Sequence, residues 1–202
     1  MGKAITIARD YGSGALELSK DLAKDLGYEY IDKAIVIDLA KKMKTSEGEL
    51  RALEEGRSYG LFNFIEKFMT RATVKTVLST DLGYVNDEGY RTGLRELMND
   101  LADLGNVVIL GRGGQCVLEN RTDVIHLRLV APMEYRKEFL SAKSSISKED
   151  AETLIKQKDQ DRNMYMEKMF SRQTNDPTLY HLTINLALVN RAMALDMVKM
   201  LL

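Results

Sequence analysis

Residues 5–14, Ile-Thr-Ile-Ala-Arg-Asp-Tyr-Gly-Ser-Gly, carry an apolar strand-like run into a turn of small residues and then into an amphipathic stretch. That order builds a phosphate-binding loop. Successive backbone N–H groups and the positive end of the following helix make a concave anion site, in which only small residues leave room. A complete loop reads Gly-x-x-x-x-Gly-Lys-Ser/Thr, with the lysine on the β/γ-phosphates and the hydroxyl on Mg²⁺. With Gly14 as the last glycine, Arg9 stands at the first glycine, Ala15 at the lysine and Leu16 at the hydroxyl. The backbone cradle is present, and the usual charge is missing from its usual place.

The same alternation continues along the chain. Residues 15–26 show helical spacing and stop at Gly27, a short strand covers 28–31 and ends at Asp32, and 34–43 read as helical. From about 45 to 91 the pattern loosens around a helix near 61–79, which reads as an inserted lobe. A helix over 91–104 leads into Val107–Leu110, a continuous apolar run of the kind buried on both faces of a parallel sheet. Gly111-Arg112-Gly113-Gly114 follow. A strand over 124–130 precedes a helix near 133–142, and Ser147 with Asp150 forms a capping box opening a helix to about Phe170. A last strand covers 181–185, and Leu186, Val189, Met193, Met197 and Met200 recur at helical spacing. Alternating strands and helices predict a parallel sheet with helices on both faces, whose ligands bind beyond the carboxyl ends of the strands. Residues 11–15, Asp32 and 111–114 are then expected in one crevice.

Composition bounds the partners. A chain of 202 residues with two prolines and no Ser/Gly-rich linker suits one domain, 1–202. The 29 basic and 30 acidic residues leave a net charge of −1, so no global field recruits nucleic acid or an anionic membrane surface. A lone cysteine, Cys116, and no signal-peptide or membrane-spanning run point to the cytoplasm. His126, His181 and Cys116 are too scattered for zinc-ligand spacing, so no metal site is expected from them. Eleven methionines, several at helical spacing near the C-terminus, read as core or as a homodimer surface.

The runs IARDYGSGALELSKDLAKDLGYEYIDKAI, VVILGRGG, VIHLRLVAPMEYR, KDQDRNMY and YHLTINLALV resemble the cytidylate kinase-like proteins, within the P-loop nucleoside monophosphate kinases. The resemblance runs in order along nearly the whole chain and is poor over 45–91. It implies a P-loop NTPase-type three-layer sandwich around five parallel strands, an insert at about 45–91 over a monophosphate acceptor, and a helical lid at about 133–170. It further implies that Gly12, Ser13 and Gly14 hold ATP phosphates, that Asp32 and Arg112 lie on the acceptor side, and that Arg136 and Arg162 are lid arginines. Relatives lack the loop lysine too, but commonly carry arginine where this chain has Leu16, and aspartate where it has His181.

Each residue also has a plainer reading. The Gly-Ser-Gly turn would be tight for steric reasons alone. Arg9 either points at the phosphates in place of the lysine or pairs with Asp10 or another acid. Arg112 either forks onto a phosphate or makes a structural ion pair. Arg136 and Arg162 either cover the transferred phosphate or lie solvated, Arg162 paired with Asp159 three residues earlier. Asp32 is a general base, an acceptor ligand or a helix cap. Glu17, one turn into the first helix beside Tyr11–Leu16, either holds Mg²⁺ through water or complements the helix dipole. Both histidines read as core residues. The function expected is ATP- and Mg²⁺-dependent transfer of a γ-phosphoryl group to a nucleoside monophosphate, CMP or dCMP first. The alternatives are a nucleotide-binding pseudokinase without the loop lysine and hydroxyl, and a kinase of a non-nucleotide small molecule.

Overall fold

Strand β1 (Ala4–Arg9) lies at the centre of a five-stranded, fully parallel sheet of order β2-β3-β1-β4-β5. Its neighbours are β3 (Val107–Leu110) on one side and β4 (Val124–Val130) on the other, with β2 (Glu29–Ile31) and β5 (Leu182–Asn185) at the edges. The computed structural model describes residues 3–32 and 87–202. The helices expected at 34–43 and 61–79, and the expected insert except its last few residues, lie outside them.

Side-chain alternation divides the core between the two faces of the sheet. Ile5 and Ile7 of β1, Val108 and Leu110 of β3, and Ile125, Leu127 and Leu129 of β4 pack against α1 (Ala15–Leu26) and α6 (Arg191–Lys199). Ala4, Val107, Ile109 and Val124 face the other way, against α2 (Asp87–Leu104), the short α3 (Gly114–Val117) and the end of α5 (Lys148–Phe170). Both faces are covered, which is why β3 is apolar without interruption and why Thr6 and His126, polar residues inside β1 and β4, are buried against each other. Helix α4 (Met133–Ser144) pairs with the start of α5 around a small apolar cluster of Leu140, Ala151 and Ile155, on which Tyr11 also packs.

Local signals set most boundaries where expected. Gly27 (φ +66°) ends α1 in the left-handed conformation, its N–H turned back to Ala23 and Lys24. Ser147 caps α5, its hydroxyl accepting from Asp150 N–H at 3.0 Å. The C-terminal helix differs from its expected span. Leu186 and Val189 pack on the core but precede it, because Asn185 closes a turn by accepting from Ala187 N–H, and Asn190 caps α6 from Met193 N–H. On α6, Ala194 and Val198 face the core while Met193, Met197 and Met200 near its end are exposed. His126 is buried as expected, on β4 beside Thr6, whose hydroxyl lies 2.6 Å from its Nδ1. His181 is not a core residue: it precedes the edge strand, is exposed, and accepts from His126 N–H at 3.0 Å.

Candidate functional site

Beyond β1 the chain turns through Tyr11–Gly14 into α1, with Gly12 (φ +81°) and Gly14 (φ +84°) in the left-handed region. The amides of Gly12 and of residues 14–17 donate to no described residue, and they sit at the positive end of α1. The Ser13 hydroxyl is 1% exposed and likewise has no hydrogen-bond partner. A buried hydroxyl without a partner is costly unless a ligand completes it. Ala15 is buried and Leu16 packs on the core, so the side chains at the lysine and hydroxyl positions turn inward. The two glycines differ in role. A Cβ on Gly12 would lie 2.9 Å from Leu140 Cδ1 and 3.3 Å from the Arg136 carbonyl, so Gly12 admits α4. A Cβ on Gly14 would meet only Phe139, at an ordinary 3.5 Å. Glu17 accepts from Lys143 of α4, so its carboxylate is engaged by a cation.

A single carboxylate gathers the cations of the α4–α5 hairpin at this loop. Asp159 of α5 accepts from Arg136 Nη1 at 2.5 Å, from Arg162 Nη1 at 3.1 Å and from the Tyr11 N–H at 3.2 Å. Arg136 also reaches the Tyr11 carbonyl at 3.3 Å, is 8% exposed, and keeps a buried Nε without a partner. Arg136, Asp159 and Arg162 border a cleft of about 770 Å³ that continues past Asp10 and Arg128. Asp10 turns to Arg128, 3.5 Å away, and so is not the partner of Arg9.

The remaining expected residues meet at the ends of β2 and β3. Arg9, at the end of β1 on the face of Ile5 and Ile7, places Nη1 3.0 Å from where a Cβ on Gly111 would stand. Burial, and then the like charge of Arg162, disfavour its cationic form, against the pull of Tyr30, Asp32 and Tyr11. Tyr30 donates its hydroxyl to Asp32 Oδ2 at 3.0 Å, and burial together with that carboxylate pushes its own ionisation far up. Arg112 (φ +60°) lies between Gly111 (φ +86°) and Gly113 (φ +67°), three consecutive left-handed residues. Such a backbone costs a non-glycine residue about 1 kcal/mol. The flanking glycines have packing reasons: Gly111 makes way for Arg9, and a Cβ on Gly113 would fall 2.2 Å from Phe170. Arg9 is the last residue of β1, and Tyr11–Glu17, Asp32, Arg112, Arg136 and Arg162 lie beyond strand ends or on the α4–α5 hairpin.

Asp159, Tyr30 and Lys143 were not singled out as site residues from sequence. Asp159 was visible only as the i,i+3 partner of Arg162, a spacing that says nothing of Tyr11 or Arg136. The short strand expected over 28–31 included Tyr30 without distinguishing its hydroxyl.

The profile of the cytidylate kinase-like family matches residues 4–187. No curated protein sequence matches the chain. Among solved structures it is similar to an uncharacterized protein from Eubacterium ventriosum, at 16% identity and TM-score 0.70 over 99% of this chain and 98% of that one. It is also similar to shikimate kinase from Bacteroides thetaiotaomicron, at 16% identity and TM-score 0.50 over 98% and 97% of the two chains. A gluconokinase from Sinorhizobium meliloti is similar at 13% identity and TM-score 0.50, over 97% and 93%. At these identities the likeness is one of fold, the five-stranded parallel sheet of P-loop kinases.

Proposed function

The chain belongs to the cytidylate kinase-like family, and from that membership and the geometry of the loop we propose that it is an ATP-dependent phosphotransferase acting on a small acceptor, CMP or dCMP first. The observation that carries this is the row of undonated amides at Gly12 and residues 14–17, beside an unpartnered buried Ser13 hydroxyl. That donor set fits the oxygens of a phosphate chain. ATP would lie with its phosphates on these amides, and Mg²⁺ would neutralise charge developing on the transferred group.

Phosphoryl transfer asks the protein mainly for alignment and for cations placed before the reaction begins. Asp159 supports that role for Arg136 and Arg162, because it holds both guanidinium groups against Tyr11 at the start of the loop. Asp32, oriented by Tyr30, is suited to hold an acceptor hydroxyl or take its proton. Glu17 is paired with Lys143, so water-mediated Mg²⁺ binding there requires that lysine to move.

One observation favours a second reading, nucleotide binding without turnover. Ala15 and Leu16 face the core and offer neither a cation nor a hydroxyl to the phosphates. Loss of one transition-state donor costs about a hundred- to a thousandfold in rate. The two readings separate when the protein is incubated with ATP, Mg²⁺ and a panel of nucleoside monophosphates and hydroxylated acids, with ADP formation followed beside an ATP-binding titration. Acceptor-dependent ADP formation supports the phosphotransferase, binding alone supports the second reading, and absence of binding excludes both.

A further inference from the structure

Arg9 is half-buried, and its guanidinium makes no hydrogen bond or ion pair with any described residue. The acids near it are engaged elsewhere: Asp10 with Arg128, Asp32 with Tyr30, and Asp159 with Arg136 and Arg162. It lies within electrostatic reach of a second cation, Arg162. Its nitrogens still reach solvent, and the attraction of Asp32 offsets only part of the cost of burial and of the repulsion by Arg162, so the two guanidinium groups together favour an added anion. The position of Arg9 shows which anion. The guanidinium rests against Gly111 beyond β3, within electrostatic reach of Tyr30 and Asp32 at the end of β2 and of Tyr11.

We infer that Arg9, assisted by Arg162, binds the oxyanion of the acceptor, so that the acceptor is a small molecule bearing a phosphate monoester or a carboxylate. The inference rests on the phosphotransfer proposed above for what the acceptor undergoes, but the anion site itself requires no turnover. Arg9 is then a binding residue of the acceptor side, and the missing loop lysine is not replaced from β1. Its fork presents paired donors to two oxygens of one group, a geometry common to phosphate and carboxylate.

The test is calorimetric titration without turnover. CMP, orthophosphate and gluconate, as a hydroxycarboxylate, are each titrated into the wild type, Arg9→Gln and Arg9→Lys, and ATP with Mg²⁺ is titrated separately. Whichever oxyanion the wild type binds should bind about 10- to 100-fold more weakly to Arg9→Gln, with Arg9→Lys between, and ATP affinity should stay within about twofold. CMP and orthophosphate binding would assign a phosphate, gluconate binding a carboxylate. Loss of ATP binding with oxyanion binding intact would place Arg9 on the nucleotide instead, and oxyanion affinities unchanged in both variants, or no oxyanion bound by the wild type, would also overturn the inference. Arg9→Lys keeps the buried charge and guards against misfolding of Arg9→Gln, checked by its urea midpoint. Failure to form ADP with oxyanion binding intact would count against the phosphotransferase alone.

Discussion

Asp159 satisfies two guanidinium groups and one backbone amide at once, so its loss leaves Arg136 buried with only the Tyr11 carbonyl. Asp159→Ala should destabilise the fold by about 1–3 kcal/mol, the cost of an uncompensated, partly buried charge, read as a lower urea midpoint. Asp159→Asn should recover only part of it. A second residue sets a pH dependence. An unfolded histidine titrates near 6.5, but burial, with His181 beside it, pushes His126 down to about 4. Between these values the folded protein binds fewer protons than the unfolded chain. The stability contributed by neutral His126 is therefore complete above pH 6.5 and falls as the pH drops toward 4. Between pH 7.5 and 4.5 the loss should be about 2 kcal/mol, and His126→Gln should flatten the profile by that amount. The presence of Asp159 and His126 is plain in the sequence, but Tyr11 is 148 residues from the one and Thr6 120 residues from the other, and no local spacing announces those contacts.

At the scale of elements, the sequence was most legible where a boundary has a local cause. The bounds of α1 follow from Gly14 and Gly27, those of β3 from an unbroken apolar run, and the start of α5 from its capping serine. Ser147→Ala should cost about 1 kcal/mol and raise amide exchange chiefly in the first turn of α5. The apolar spacing that runs through Leu186 and Val189 was misleading, because both bury on the core from a turn that Asn185 holds. The turn after β3 was legible as glycine-rich but not for its reason. Gly113 yields to Phe170, the last residue of α5, so this turn and the hairpin are packed as one unit. Gly113→Ala should cost about 2–4 kcal/mol from overpacking and left-handed strain, and in a Phe170→Ala background the increment should fall to about 1 kcal/mol. A cycle without that coupling would mean the glycine is required for its backbone alone.

For the whole molecule, the strand order explains how residues distant in sequence meet. From β1 the chain crosses toward β2, and from β4 it crosses toward β5, so adjacent strands send their connections in opposite directions and a crevice opens at their carboxyl ends. Into that crevice β1 delivers the loop and Arg9, β2 delivers Asp32, β3 delivers Arg112, and α5 returns over them with Asp159 and Arg162. The alternation of strands and helices was enough to foresee this convergence, but not the direction of any one side chain. Arg9 occupies the first-glycine position of the loop and yet lies beside Gly111. The account stands on γ-phosphoryl transfer, and label transfer tests it most directly. The purified protein is given Mg²⁺ and ATP labelled at the γ-phosphorus, together with CMP, dCMP and the wider acceptor panel, and the products are separated. The expected result is label in one acceptor, abolished by Gly14→Val, a substitution at a left-handed residue with no close packing neighbour. ATP bound tightly with no label in any acceptor, or label transferred undiminished by Gly14→Val, would contradict it.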